Sequence, residues 1–233
     1  MFIETYLNSL PADTEEINVS RNGITYLDVT RFKKLKILHC QHNQLTSLQL
    51  NENLQKLYCS HNKLTSLHLN KKIEILFCEN NKLTSLYLNK NLQTLYCSNN
   101  QLSSLQLNSN LQTLYCAYNK LSSLHLNENL QELYCYYNRL TSLHLNEKII
   151  LLCCSNNPIY EIINSYNTPV IKQKLRVLNQ FRYLYYSLKF KKRFRDWLWI
   201  RIREPKIREK YSHDYLVANL HEDTDLDDLL KNW

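Results

Sequence analysis

The apolar positions along the centre of this chain follow neither the 3.6-residue period of a helix nor the alternation of a long strand. They recur at a step of 19 residues, and each unit reads Leu-x-x-Leu-x-Cys-x-x-Asn-x-Leu-x-x-Leu-x-Leu, as in Leu54, Leu57, Cys59, Asn62, Leu64, Leu67 and Leu69. Asn43, Asn62, Asn81, Asn100, Asn119, Asn138 and Asn157 hold this register without a gap, and Cys40, Cys59, Cys78, Cys97, Cys116, Cys135 and Cys154 precede them by three residues. Inside the unit a short alternation survives. Around residues 56–60 it turns Leu57 and Cys59 inward and Lys56, Tyr58 and Ser60 outward, which predicts one short strand per unit. Stacked units then form a parallel sheet on the concave side of a solenoid. Nineteen residues per turn leave no room for a helix on the convex side, so Leu-Thr-Ser-Leu-x-Leu is predicted to run extended there. The asparagine after each strand is expected to satisfy backbone groups where the chain turns, as a continuous ladder.

Both ends of the repeat change pattern. Phe2, Ile3, Tyr6, Leu7 and Leu10 form one apolar stripe along a short helix that Pro11 ends, a cap over residues 1–13. A degenerate first coil follows, with Ile17, Val19, Asn22, Ile24, Leu27 and Val29 at the repeat positions and Phe32 filling a link two residues longer than the others. The solenoid is assigned to residues 14–160, about eight coils at one per ~19 residues. Beyond it, residues 164–169 read as a joint and 170–202 as an amphipathic helix that Pro205 ends. Shorter helices are predicted to open at Ser212 and near Thr224, so that residues 161–233 form an α-helical C-terminal module.

The repeat resembles the leucine-rich repeat family, whose pattern accepts Cys at the ladder site. The resemblance covers Ile17 to Ile159. It implies a repeat solenoid, a fold that hosts many unrelated partners and so leaves the partner open. The stretch from Lys189 to Trp233, with its Lys-Phe-Lys-Lys run, Arg-Glu-Pro and closing acidic helix, looks like the tails of uncharacterised proteins of giant DNA viruses of amoebae. That second resemblance implies a viral protein acting in the host cytoplasm.

Charge sharpens the division of the chain. The net charge is +8, yet residues 165–211 hold fourteen Lys/Arg against three acids, and residues 212–233 hold six acids against one Lys. The module is therefore basic and then acidic, while the repeats are close to neutral. One glycine and four prolines argue against flexible linkers. The start, MFIETYLNSLPAD, lacks the basic and apolar regions of a secretory signal. The longest continuous apolar run, 149–154, is far below the ~20 residues that span a bilayer. A soluble, monomeric protein that stays in the cytoplasm is expected, with its cysteines as reduced core thiols.

Candidate chemistry is sparse. Zinc needs four ligands converging at ~2.3 Å, whereas a ladder strings thiols ~4.8 Å apart, so the cysteines are not read as a metal site. Cys153 alone must point to the concave face, and no histidine is placed to activate it. His68, His125 and His144 recur on the convex side without a carboxylate beside them. No phosphate-binding glycine loop, nucleophile elbow or carboxylate pair is visible. The sequence thus points to no enzyme, no cofactor and no metal. The candidate site is instead the concave surface, where Tyr58, Phe77, Tyr96, Tyr115 and Tyr134 occupy one column directly before the ladder cysteines, with Tyr118, Tyr136 and Tyr137 beside them. Cross-strand ring stacking alone accounts for such a column at about 0.2 to 1 kcal/mol per pair. Exposed aromatic patches also mark interfaces, and a protein partner docking there is the favoured reading. The alternative is nucleic-acid binding by the basic aromatic helix 170–211, with Lys189, Lys191, Lys192, Arg193 and Arg195 as phosphate contacts. A ubiquitin-ligase effector would need a catalytic domain much larger than this tail.

Overall fold

The computed structural model describes residues 3–163, 165, 167–180 and 191, and the chain divides into two compact units, Met1–Asn179 and Gln180–Trp233. Ten strands run in chain order as β1 (Glu16–Asn18), β2 (Tyr26–Asp28), β3 (Ile37–His39), β4 (Ser47–Gln49), β5 (Lys56–Tyr58), β6 (Ile75–Phe77), β7 (Thr94–Tyr96), β8 (Thr113–Tyr115), β9 (Glu132–Tyr134) and β10 (Leu151–Cys153). Eight of them form one parallel sheet in the order β1-β3-β5-β6-β7-β8-β9-β10. Seven turns of chain link these eight strands, so the solenoid follows from the repeat. Strands β2 and β4 pair on the opposite wall, where His125 and His144 form a further bridge and the rest of the wall runs extended without regular strands.

The register is set by the repeat. Leu57 pairs with Leu76, and that step of 19 persists to Leu133 and Leu152, whereas Ile17 to Leu38 is a step of 21. The two extra residues of the first link are accommodated around Phe32, which is buried, as expected. In β3 and β5–β9 the central Leu is buried between half-buried neighbours. The wall-to-wall core is completed by the cysteines and by leucines such as Leu64, Leu83 and Leu102, all without solvent exposure. Backbone pairing outruns the three-residue strands: Cys59 N–H donates to Phe77 O at 2.7 Å and His61 N–H to Glu79 O at 2.8 Å.

The ladder asparagines act as anticipated, and the structure shows how. Asn62 Nδ2 donates to the carbonyls of Cys59 and Cys40, both at 3.0 Å, while its Oδ1 accepts Leu45 N–H at 2.9 Å. Each amide thus ties its own coil to the preceding one, in a buried setting where the backbone groups have no water to turn to. A second ladder, Asn51, Asn70, Asn89, Asn108, Asn127 and Asn146, stitches the opposite corner; Asn89 Nδ2 bonds Asn70 O and Ile73 O, and its Oδ1 accepts Leu92 N–H. The sequence reading did not single out this second column, although its 19-residue step was equally visible.

Helices close the first unit at both ends. At the N-terminus α1 (Ile3–Ser9) lays Ile3, Tyr6 and Leu7 on the core, and the Arg31 guanidinium bonds Asn8 Oδ1 at 2.7 Å and the Leu7 carbonyl. Phe2 lies outside the described residues. At the other end the repeat passes directly into α2 (Pro158–Ile163), a helix that the sequence pattern does not predict. Proline suits a first helical position because its missing N–H would be unpaired there. Residues 168–180 are also helical, two residues earlier than expected, with Asn167 Oδ1 accepting Val170 N–H at 3.2 Å as a cap. Ile159, Ile163, Ile171 and Leu175 are buried against the last coil. The helices predicted to open at Ser212 and near Thr224, and most of 181–202, lie outside the described residues. Among those described, no helix is long and apolar enough to cross a membrane.

Candidate functional site

Each strand from β5 to β9 ends on an aromatic residue that the pleat turns to the concave face, so the parallel register sets those rings over one another. His39, Tyr58, Phe77, Tyr96, Tyr115 and Tyr134 form one continuous stack, with centroids 4.5, 5.1, 4.3, 4.2 and 4.1 Å apart and planes within 28°. Stacking occupies the ring faces, so the column offers ring edges and hydroxyls. Burial pushes the Tyr115 phenol well above its ordinary range, and hydrogen bonding with Tyr134 and the neighbouring phenols push it the same way. Stack and surface are therefore one object.

The position two residues after each cysteine has a left-handed backbone in every coil. Arg21, His42, His61, Asn80, Asn99, Tyr118, Tyr137 and Asn156 all have φ between 51° and 57°. Asparagine adopts this conformation at little cost, whereas a bulky ring there costs on the order of 1–3 kcal/mol. Tyr118 and Tyr137 nevertheless hold it side by side, stacked at 4.5 Å and 44% and 47% exposed. Tyr136 flanks them edge-on, at 5.4 Å and 81° to Tyr118 and 6.0 Å and 71° to Tyr137. Burial raises the Tyr136 phenol above its usual value, and the Tyr118 and Cys153 charges would add to this. All eight aromatics singled out in the sequence thus lie on one face. The backbone strain under two of them was not legible from residue identity.

The remaining candidates separate. All eight cysteines are free; seven are buried, and Cys153 is half-buried with its Sγ 3.9 Å from Ser155 Oγ. Burial raises every ladder thiol, Cys154 to about 12, so these sulfurs stay protonated and unreactive. At the N-terminal end His42 stacks on His61 at 4.4 Å, Asn80 Nδ2 approaches His61 Nε2 at 3.3 Å, and His39 Nε2 lies 3.3 Å from Glu16 Oε1. Among the described residues no group of three or more His, Cys, Asp or Glu is placed to hold a metal ion. Of the proposed phosphate contacts only Lys191 is described, as an exposed helical residue; Lys189, Lys192, Arg193 and Arg195 lie outside.

Comparison with known proteins agrees with this geometry. The family described as Leucine Rich repeats (2 copies) matches residues 90–128. No curated protein matches the chain. Among solved structures, YopM from Yersinia enterocolitica WA-314 is 28% identical with a TM-score of 0.53, over 61% of this chain and 35% of its own, so this chain spans about a third of that protein's length. The leucine-rich repeat domain of a Shigella effector is 29% identical with a TM-score of 0.56, over 67% of this chain and 73% of its own. A functional domain of InlJ from Listeria monocytogenes, described as including a cysteine ladder, is 29% identical with a TM-score of 0.50, over 61% of this chain and 42% of its own. Residues 90–128, which carry Tyr96, Tyr115 and Tyr118, match leucine-rich repeats, and the coils around them are wound into a parallel-strand solenoid like those of these structures.

Proposed function

We propose that this chain is a non-enzymatic interaction scaffold that docks a protein partner on its concave aromatic face, through Tyr58, Phe77, Tyr96, Tyr115, Tyr118, Tyr134, Tyr136 and Tyr137. The observation that carries this reading is the pair of exposed tyrosines held in a left-handed backbone that the other cysteine-bearing coils give to Asn or His and the first coil to Arg21, since a bulky ring there is a cost the fold does not require and points to use. Tyrosine presents a large ring and a hydroxyl at small entropic cost, which suits an interface hot spot. The likeness to the repeat domain of a Shigella effector supports an interaction role. A viral origin and action in the host cytoplasm rest on the resemblance of the C-terminal tail alone. The fourteen basic residues of 165–211 favour a secondary, salt-labile contact with nucleic acid. The test is site-specific photocrosslinking in cells, with the crosslinking residue at position 115 on the concave face or at position 87 on the convex one. A discrete adduct from position 115 and none from 87 is expected; the reverse pattern moves the site off this face.

A further inference from the structure

From the coil of Cys78 onward, the concave face carries a charge pattern opposite to that of the chain. From the coil of Cys78 to that of Cys154, the four outward positions nearest each strand contain Glu79 and Glu132 and not one Lys or Arg, on a chain whose net charge is +8. Glu79 is engaged, accepting the Ser60 hydroxyl at 3.1 Å. Glu132 is half-buried on β9, two residues from Tyr134 on the same face, and has no ion-pair partner among the described residues. Its coil and the one before it are those that set tyrosine at the left-handed position. Lys148, on the strand-entry side, is bonded to Asn129 Oδ1 at 2.6 Å.

Electron-rich rings, phenolic oxygens and an uncompensated carboxylate all favour a cation. A guanidinium fits best, because its plane can lie on the outer face of a ring at the end of a stack, such as Tyr137, while its N–H fork bonds carboxylate and hydroxyl oxygens together. Side-chain amides of Gln93, Gln112 and Gln131 line a cleft beside the face at the spacing of the strands, with Lys148 also in its lining, and can meet the peptide groups of an extended segment running across the coils. We infer that the partner segment docking on this face is an extended polypeptide bearing arginine, seated between Glu132 and the Tyr118–Tyr137 pair. This rests on the concave-face reading above and names the chemistry of its partner.

The test is calorimetric titration of the full chain with nona-arginine, and with nona-glutamate as the opposite-sign control. The arginine peptide should bind and the glutamate peptide should not. Binding should fall about tenfold or more when Glu132→Gln, Tyr118→Ser and Tyr137→Ser are combined, the size expected for a lost cation–ring contact together with a charged hydrogen bond. Glu132→Gln alone, which leaves every ring in place, should lose about threefold or more, while Tyr87→Ser on the convex side should change nothing. Equal binding by all variants would assign the peptide to the acidic residues of 212–233 and overturn the inference. No arginine-peptide binding, with the position-115 crosslink retained, would overturn it while leaving the concave face as the docking surface. Loss of that crosslink as well would remove both.

Discussion

The interior of the solenoid and the concave face of its last coils are built from the same backbone under opposite rules. Inside, Leu, Cys and Asn recur unchanged, and each residue is held by its counterpart one coil away: Asn100 bonds Cys78 O and Cys97 O, just as Asn81 bonds Cys59 O and Cys78 O. On the face, the corresponding register positions vary, from Asn99 to Tyr118 and from Ser98 to Tyr136. Repetition of this kind lets neighbours specify one another, so the interior is constrained at every coil. Departure from repetition, where it runs against local backbone preference, marks a position the fold does not dictate. The interior is therefore set by stability while the face is free to vary, and the two should respond differently when disturbed.

Alkaline pH should break the interior most strongly. Seven ladder thiols are raised by burial above the ordinary value of 9.0. The unfolded chain releases these protons first, so stability is flat below about pH 9 and falls as pH rises above it. With seven protons bound only by the folded state, the slope reaches on the order of 9 kcal/mol per pH unit. Circular dichroism against pH should show a steep cooperative loss about one to two units above 9. A gradual loss would mean that the thiols already reach solvent.

Next in size is removal of one interior side chain. Leu114→Ala empties a fully buried site and should cost about 2–5 kcal/mol in denaturant titration. Asn100→Ala should cost about 1–3 kcal/mol. The carbonyls of Cys78 and Cys97 keep a second amide donor from Asn81 and Asn119, but Leu83 N–H loses the acceptor it has in Asn100 Oδ1. Replacing both Tyr115 and Tyr134 by Ser removes stacking on the face and should cost only about 1–2 kcal/mol. Partner capture should nevertheless weaken by ~2 kcal/mol per ring. A variant that melts as early as Leu114→Ala would make the column part of the interior in all but position.

The smallest expected effect is the most discriminating. Tyr137→Asn loses a stacked pair but places at φ 51° a residue that tolerates it, so thermal melts should shift by the equivalent of less than about 1 kcal/mol in either direction. A drop comparable to that of Asn100→Ala would erase the distinction between the two regions.

Much of this was readable before any coordinate. A 19-residue step carried through seven units leaves one way to bury its leucines, so strand placement, the inward cysteines, the half-exposed Cys153 and the aromatic column all followed from register and alternation. The second asparagine ladder is equally periodic, but its residues stand in the turn, where Asn is commonplace and its periodicity does not by itself point to a buried role. The helix at Pro158–Ile163 was hidden for a different reason: six residues are too few to show a helical period. Two features depended on the folded chain. Whether stacked rings keep a free face depends on their relative tilt and spacing, a tertiary distance that no residue identity encodes. The left-handed backbone at Tyr118 and Tyr137 is imposed by the coil on whatever residue occupies the turn, against that residue's own preference. Local sequence reports preferences of that kind, while the stacked coils on either side decide when they are overruled.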